Sequence, residues 1–220
     1  LIQDYGHIIV DECHHLSAPR FEMVLNEVRA KFVLGLTATP ERQDGHQKII
    51  FMAAGPIRYK VKQSPEEQFT QTVMIHQLYD IPPAELIKTD ERPKISDAYR
   101  WLVDNGQRTS KIVSDASQCV QNGGHPLVLT ERREHAEEIH SQLTKMGIST
   151  VVLKGAMKAA ERKNAYNHLQ SAQVVVATGK YVGEGFDLPR LDTLFLAMPI
   201  AWKGTLAQYA GRIHRESEGK

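Results

Sequence analysis

The stretch His7-Ile8-Ile9-Val10-Asp11-Glu12-Cys13-His14-His15 decides the fold. A short apolar run is followed at once by two carboxylates. Such a run is what a strand buried on both faces requires. Downstream, Phe21, Val24, Leu25 and Val28 repeat at i, i+3, i+4 and i+7, one face of a helix, with Pro19 near its start. Residues 31–36 read as the next strand, and 57–61 and 72–78 as further strands. In the second half, 96–121 is helical with a break at Asn105-Gly106. Residues 126–129, 150–153, 174–176 and 191–197 read as strands. Between them, Ala136, Ile139, Leu143 and Met146 mark a helix closed by Gly147, and 158–169 marks another. A last helix is expected over 205–215.

Alternating strands and helices mean parallel sheets covered by helices, an α/β architecture. Residues 79–94 change character: Pro82, Pro83 and Pro93 stand among several charges, as in a linker. The expected organisation is therefore two α/β lobes, at 1–80 and 97–220, joined by a linker at 81–96. No short-period repeat and no low-complexity tract interrupts them.

Bulk properties exclude several classes. The 220 residues are 41% hydrophobic and 24% charged, which is ordinary globular composition. A chain of this length buries a sizeable core without staples. The formal charge of +1 announces no polyanion partner, so any nucleic-acid surface is local. Cys13 and Cys119 form no C-x-x-C pair, so neither a disulfide framework nor a zinc motif follows. A reducing, cytoplasmic compartment fits. There is no signal peptide and no apolar run of about 18 residues, hence no expected membrane span.

Four clusters fall at expected strand or helix ends, and ligands of open parallel sheets sit at the carboxyl ends of strands. The first is Asp11-Glu12. Adjacent carboxylates are costly to hold without a cation. Phosphoryl transfer has a use for both: an Asp holds Mg²⁺ and a neighbouring Glu orients or deprotonates the attacking water. By itself the pair also reads as an acidic turn capping a helix. His14 and His15 are adjacent and point apart on most backbones, which argues against zinc. The second cluster is Gly35-Leu36-Thr37-Ala38-Thr39-Pro40, small hydroxyl residues after a strand. The third, Ala177-Thr178-Gly179-Lys180-Tyr181-Val182-Gly183-Glu184-Gly185-Phe186-Asp187-Leu188-Pro189, has glycines that let backbone approach a ligand and an Asp suited to ribose hydroxyls. The fourth, Gln208-Tyr209-Ala210-Gly211-Arg212-Ile213-His214-Arg215, puts two arginines on one helical face, suited to bidentate phosphate contacts. Alone, these three read as a turn, a flexible loop and a solvated basic face.

Order and spacing together say more. Asp-Glu-x-His, Thr-Ala-Thr, Gly-x-Gly-Phe-Asp-x-Pro and Gln-x-x-Gly-Arg-x-x-Arg resemble, in that order, motifs II, III, V and VI of superfamily 2 helicases of the DEAD/DEAH type. The resemblance runs from about Tyr5 to Arg215 and implies tandem RecA-like lobes. Within the superfamily, Thr-Ala-Thr-Pro-Glu-Arg-Gln-Asp-Gly resembles the branch of the xeroderma pigmentosum group B helicase and the type III restriction (Res) subunits. That branch often has Arg-Glu-Asp where this chain has Arg42-Gln43-Asp44, so the match there is partial. The Swi2/Snf2 remodellers usually lack the glycine that stands here as Gly211.

The resemblance implies ATP and Mg²⁺ as cofactors, with roles residue by residue. Asp11 holds the metal through water, and Glu12 is the general base. His14 couples the nucleotide to the second cluster, and Thr37 and Thr39 relay between lobes. Gly185 and Asp187 sit by the ribose and phosphate. Arg212 and Arg215 are arginine fingers, which Gln208 helps to place. Thr130 and Arg132 resemble motif IV and, with Thr178 and Lys180, meet the nucleic-acid backbone. The implied partner is DNA, with RNA left open.

The phosphate loop G-x-x-x-x-G-K-[ST] is absent: Gly179-Lys180 is followed by Tyr181, and Val174 stands where the first Gly belongs. In the family that loop lies upstream. The expectation is a first lobe incomplete at its N-terminus, a chain ending just after motif VI, and little ATP hydrolysis by these 220 residues alone. Two other readings remain: a non-catalytic module gripping nucleic acid or a partner, and the motor subunit of a restriction or anti-phage nuclease. The latter would carry a nuclease, methylase or primase region elsewhere.

Overall fold

A computed structural model describes residues 2–13, 23, 27–37, 47–61, 72–87, 94–155, 157–179, 188–200, 206, 209–211 and 213. The chain divides into two compact units, Leu1–Thr70 and Gln71–Lys220.

In the first unit, β1 (His7–Val10) pairs in parallel with β2 (Phe32–Gly35), Ile8 opposite Val33 and Val10 opposite Gly35. Helix α1 (Gln47–Ala54) covers one face. Its Ile50 is buried with Cys13, and Val10, Ala53 and Ala54 pack around them. The expectation of burial on both faces fails here. Both strands alternate between exposed and half-buried residues, and Ile9 is 60% exposed. Among the described residues, two strands and one short helix offer one covered face. Nor do 57–61 and 72–78 form strands. Their β-branched, alternating pattern suits a pleated surface, but a strand exists only with a ladder partner. Val61 is 82% exposed and Ile75 87%, so neither segment has found one. The helix expected around Phe21–Val28 lies largely outside the described residues.

The second unit is a three-layer α/β sandwich. Its sheet, in the order β4 (Thr150–Leu153), β5 (Val174–Thr178), β3 (Pro126–Thr130) and β6 (Thr193–Leu196), is parallel throughout. Chain order runs through α2 (Ile95–Asp104), α3 (Gly106–Gln121), β3 (Pro126–Thr130), α4 (Arg133–Lys145), β4 (Thr150–Leu153), α5 (Ala159–Leu169), β5 (Val174–Thr178) and β6 (Thr193–Leu196). β3 and β5 are buried at every position, as near-continuous apolar runs demand. Their period-2 geometry sorts side chains into two cores. Leu127, Leu129, Val175 and Ala177 face Ala165 and Leu169 of α5, with Leu188, Leu191 and Tyr209. Val128, Val174 and Val176 face Val113 and Ala116 of α3 and Ala136, Ile139 and Leu143 of α4.

Helix ends follow their sequence signals. The break expected at Asn105-Gly106 is real: Asn105 leaves helical geometry and its side-chain oxygen accepts the Arg108 N–H at 2.9 Å, capping α3. α4 ends as expected at Gly147, whose φ of 79° only glycine adopts without strain. Gly147 N–H donates to the Thr144 carbonyl and Ile148 N–H to that of Leu143, the paired bonds of a Schellman motif. Gly123 ends α3 in the same way. Leu206, Tyr209, Ala210, Gly211 and Ile213, the described part of the last expected helix, are helical.

No helix among the described residues is long and apolar enough to cross a membrane. Of the linker expected at 81–96, the described residues include a helical turn at Ala84–Ile87 and the start of α2.

Candidate nucleotide and nucleic-acid site

The first unit presents Asp11 and Glu12 at the carboxyl end of β1. Glu12 has a φ of 49° and is the described non-glycine residue with a positive value. For an L-residue that conformation costs about 1–2 kcal/mol. Several contacts hold it. Glu12 N–H donates to Asp11 Oδ1 at 2.8 Å. Cys13 N–H donates to the Leu36 carbonyl at 2.8 Å, and Leu36 N–H to that of Val10 at 2.9 Å. A Cβ on Gly35 would stand 2.9 Å from Cys13 Sγ and 3.0 Å from Ala54 Cβ, so only glycine lets β2 approach this closely. The carboxylate turn is thereby bolted to the end of β2, where Thr37 follows. Strained backbone that its surroundings over-determine is characteristic of functional sites. Burial pushes the Cys13 thiol above its ordinary pKa, and the charges of Glu12 and Asp11 push it further, against a backbone hydrogen bond that lowers it. Cys13 is a packing residue, not a thiolate nucleophile.

Among the described residues no group of three or more His, Cys, Asp or Glu is arranged to hold a metal. Mg²⁺ needs less: one or two hard carboxylate oxygens, with water and substrate phosphates completing the shell. Asp11, exposed at a strand end beside Glu12, is a donor set of that kind.

In the second unit the motif-bearing segments converge at the carboxyl ends of β3 and β5. Gly179, directly after β5, sits between Glu131, directly after β3, and Tyr209. A Cβ on Gly179 would clash with Glu131 Oε1 and stand 2.5 Å from the Tyr209 hydroxyl. Tyr209 is buried in the sheet's core, and Ile213 packs against the same cluster, so the last helix is seated on the sheet by these two residues. Burial raises the Tyr209 pKa, and the Glu131 charge raises it further.

Beneath the β3 end lies a buried polar network. Thr130 is 1% exposed, Thr109 1% and His135 0%. Thr130 Oγ1 is 3.0 Å from His135 Nδ1, and Thr109 Oγ1 is 3.2 Å from His135 Nε2. Burial, with the Arg108 charge, drops the His135 pKa to about 4. Arg108 Nη2 donates to the Ala197 carbonyl at 2.7 Å, and burial lowers the pKa of its guanidinium. Above the network, the Arg132 guanidinium lies 5.5 Å from the centre of the Tyr99 ring, a cation–π contact.

Thr130, Arg132, Thr178 and Lys180 are the expected nucleic-acid residues. Thr130 and Thr178 are buried, and Gly155 N–H donates to the Thr178 hydroxyl at 3.4 Å. Arg132 is half-buried and is the described member nearest the surface. His14, Thr39, Lys180, Gly185, Asp187, Gln208, Arg212 and Arg215 lie outside the described residues. Gly35, Gly179, Glu131, Tyr209 and His135 carry site geometry without having been assigned a role from sequence. For His135 a signal existed: it stands four residues before Ile139, on the inward stripe of α4.

Comparison with known proteins places this geometry. Over 98% of its length the chain resembles the structure of S. cerevisiae Dbp5 bound to RNA and ADP BeF3, with a TM-score of 0.55, 15% identity and 51% of that chain covered. The fold is that of RecA-like helicase domains. The family described as "Helicase conserved C-terminal domain" matches residues 108–217, half of the chain, and "Type III restriction enzyme, res subunit" matches residues 1–42. The chain belongs to the helicase conserved C-terminal domain family, and its further similarities are to superfamily 2 helicases of the XPB and Res-type branch. It is 29% identical over 98% of its length to the Escherichia phage T5 protein named "Probable helicase D10", covering 47% of that protein. It is 27% identical over 97% of its length to the Mycobacterium tuberculosis DNA 3'-5' helicase XPB, covering 38% of it. The chain thus spans about half or less of these relatives.

Proposed function

We propose that this chain carries most of the motor core of an ATP-dependent DNA helicase or translocase, with its lobes at 1–80 and 97–220 and its working place in the cytoplasm. The observation that carries the reading is the Asp11–Glu12 turn, held in left-handed geometry at a strand's carboxyl end and fixed to the strand that leads into Thr37. Backbone strain of this kind is poorly explained by an acidic helix cap.

Mg-ATP, when bound, supplies the phosphoryl group whose hydrolysis drives the cycle. Asp11 would hold the metal, and Glu12 would accept a proton from the attacking water. His14, Thr37 and Thr39 would couple that end of the first lobe to the second. Gly185 and Asp187 would line the ribose and phosphate, beside Gln208. Arg212 and Arg215 would stabilise the negative charge that develops on the transferred group, an effect strongest where water is excluded. Arg132, with Lys180, would grip backbone phosphates, giving low sequence preference and a steep salt dependence. Tyr209 and Gly179 bring the last helix against the segments meant for nucleic acid, which would tie grip to hydrolysis. The resemblance to the DNA helicase XPB supports DNA, with RNA as the second substrate class.

The test is nucleic-acid-stimulated ATP hydrolysis by the full-length protein beside Glu12→Gln and Arg212→Ala. Loss of a general base or an arginine finger should lower turnover on the order of 10²-fold or more. Binding of nucleic acid with no hydrolysis in any form would instead make this a non-catalytic module.

A further inference from the structure

The His135 network is directional along its whole length. The Thr109 hydroxyl donates to the Asn105 carbonyl at 3.2 Å, so its oxygen is left to accept from His135 Nε2–H at 3.2 Å. Nδ1 then carries no proton and accepts from the Thr130 hydroxyl at 3.0 Å. The Thr130 oxygen in turn accepts the Arg132 N–H at 3.4 Å. One continuous series of donors thus runs from the turn that carries Arg132, through a neutral imidazole in the core, to the break between α2 and α3. That break is itself tied down, because Asn105 Nδ2 donates to Asp80 Oδ2 at 2.8 Å. A core of this size has ample apolar alternatives for position 135. A polar group there that cannot reach water is expensive unless every bond is made.

We infer that His135, with Thr109 and Thr130, is a positioning device that fixes the Thr130–Arg132 turn against the α2–α3 break and so aims Arg132 at a nucleic-acid phosphate. The inference rests on the reading of Arg132 as a phosphate contact. It gives Thr130 a different part from the direct backbone contact that its motif resemblance implies: the hydroxyl points inward and orients its neighbour. It also explains why the Arg132 side chain lies along Tyr99, whose hydroxyl reaches the Pro199 carbonyl at 3.5 Å. The turn is held from within by the imidazole and from above by the ring.

The experiment measures nucleic-acid affinity of the full-length protein as a function of salt, for the wild type and for Arg132→Ala, Thr130→Val, Thr130→Ser and His135→Phe. Thermal midpoints are recorded in parallel. Each phosphate contact contributes roughly 0.7–0.9 to the slope of log affinity against log salt, so Arg132→Ala should lower the slope by about that much. Thr130→Val keeps the side-chain volume and removes the two hydrogen bonds. It should weaken binding about 3- to 10-fold at moderate salt, the loss expected of one or two bonds, and move the slope toward that of Arg132→Ala. Thr130→Ser should restore both. A Thr130→Val protein with the wild-type slope and only a lower thermal midpoint overturns the proposal and leaves the network purely structural. An unchanged slope in Arg132→Ala removes the phosphate contact itself, a separate failure visible before the other variants are read. Should His135→Phe not fold, the two Thr130 variants decide alone.

Discussion

Gly179→Ala is the substitution whose outcome the structure constrains most tightly. The added Cβ would clash with Glu131 Oε1 and stand 2.5 Å from the Tyr209 hydroxyl, closer than real Cβ atoms tolerate. The two neighbours differ in their freedom. Glu131 is exposed, and its carboxylate, at the far end of a flexible side chain, is the neighbour that can shift. Tyr209 is 5% exposed and belongs to the buried core cluster that holds Leu129, Ala177 and Leu188. It yields only if the ring or its helix shifts. Overpacking of this kind costs about 1–3 kcal/mol. For a unit of this size that lowers the thermal midpoint by roughly 2–4 °C per kcal/mol. Because the strain is assigned to one oxygen, Tyr209→Phe should relieve it. The double variant Gly179→Ala/Tyr209→Phe should recover most of the loss, with a coupling of about 1 kcal/mol or more in a double-mutant cycle followed by chemical denaturation. Strictly additive effects would refute the argument that Tyr209 is the rigid wall.

Three further outcomes follow from other parts of the fold. The His135 pKa is about 4 in the folded protein, below its ordinary value of 6.5, so the unfolded chain binds more protons between those limits. The contribution of His135 to stability should therefore be fully present above pH 6.5 and fall as pH drops toward 4, by about 3 kcal/mol; a His135→Phe protein whose acid denaturation keeps the wild-type slope would contradict this. Gly35→Ala should destabilise the first unit by about 1–3 kcal/mol and lower ATP turnover by displacing the Asp11–Glu12 turn, while a Gly35→Ala protein of unchanged melting and turnover would show that β2 need not approach Cys13 so closely. Gly147→Ala, at a φ of 79°, should cost about 1 kcal/mol in denaturant unfolding without altering nucleic-acid affinity, and a neutral result would mean that the end of α4 rearranges freely.

What the sequence makes legible here depends on whether a residue's partner is local. β3 and β5 are read from their apolar runs because a strand at the centre of a parallel sheet needs nothing but apolar residues on both faces. Gly147 is read as a helix end because the Schellman bonds it makes reach back only a few residues. Residues 57–61 and 72–78 carry an equally good β pattern and are not strands, since pairing depends on a neighbour that pattern cannot supply. The same division holds in the site. Asp11 and Glu12 stand out as adjacent carboxylates after a strand. The left-handed turn that holds them depends on Gly35, more than twenty residues away in sequence, and is invisible until β1 and β2 are paired.

Thr130 illustrates how motif position and physical role separate. Its place after β3, beside Arg132, is the place of a backbone contact, and a threonine hydroxyl is a plausible donor to phosphate. Yet a hydroxyl with one donor hydrogen, 1% exposed and 3.0 Å from an imidazole nitrogen that needs that hydrogen, has none left for a ligand. Breaking the bond to reach outward would strand Nδ1 of His135, which is 0% exposed, at a cost of about 1–3 kcal/mol. A hydroxyl–phosphate bond is charge-assisted and nets about 1.5–3 kcal/mol, no more than the loss it would have to offset, and Thr130 would first have to turn its hydroxyl out of the core. The balance falls on the inward bond. On the proposed reading the outward task would pass to Arg132, whose guanidinium rests on the face of the Tyr99 ring, a contact that leaves its hydrogen-bonding edge for a phosphate.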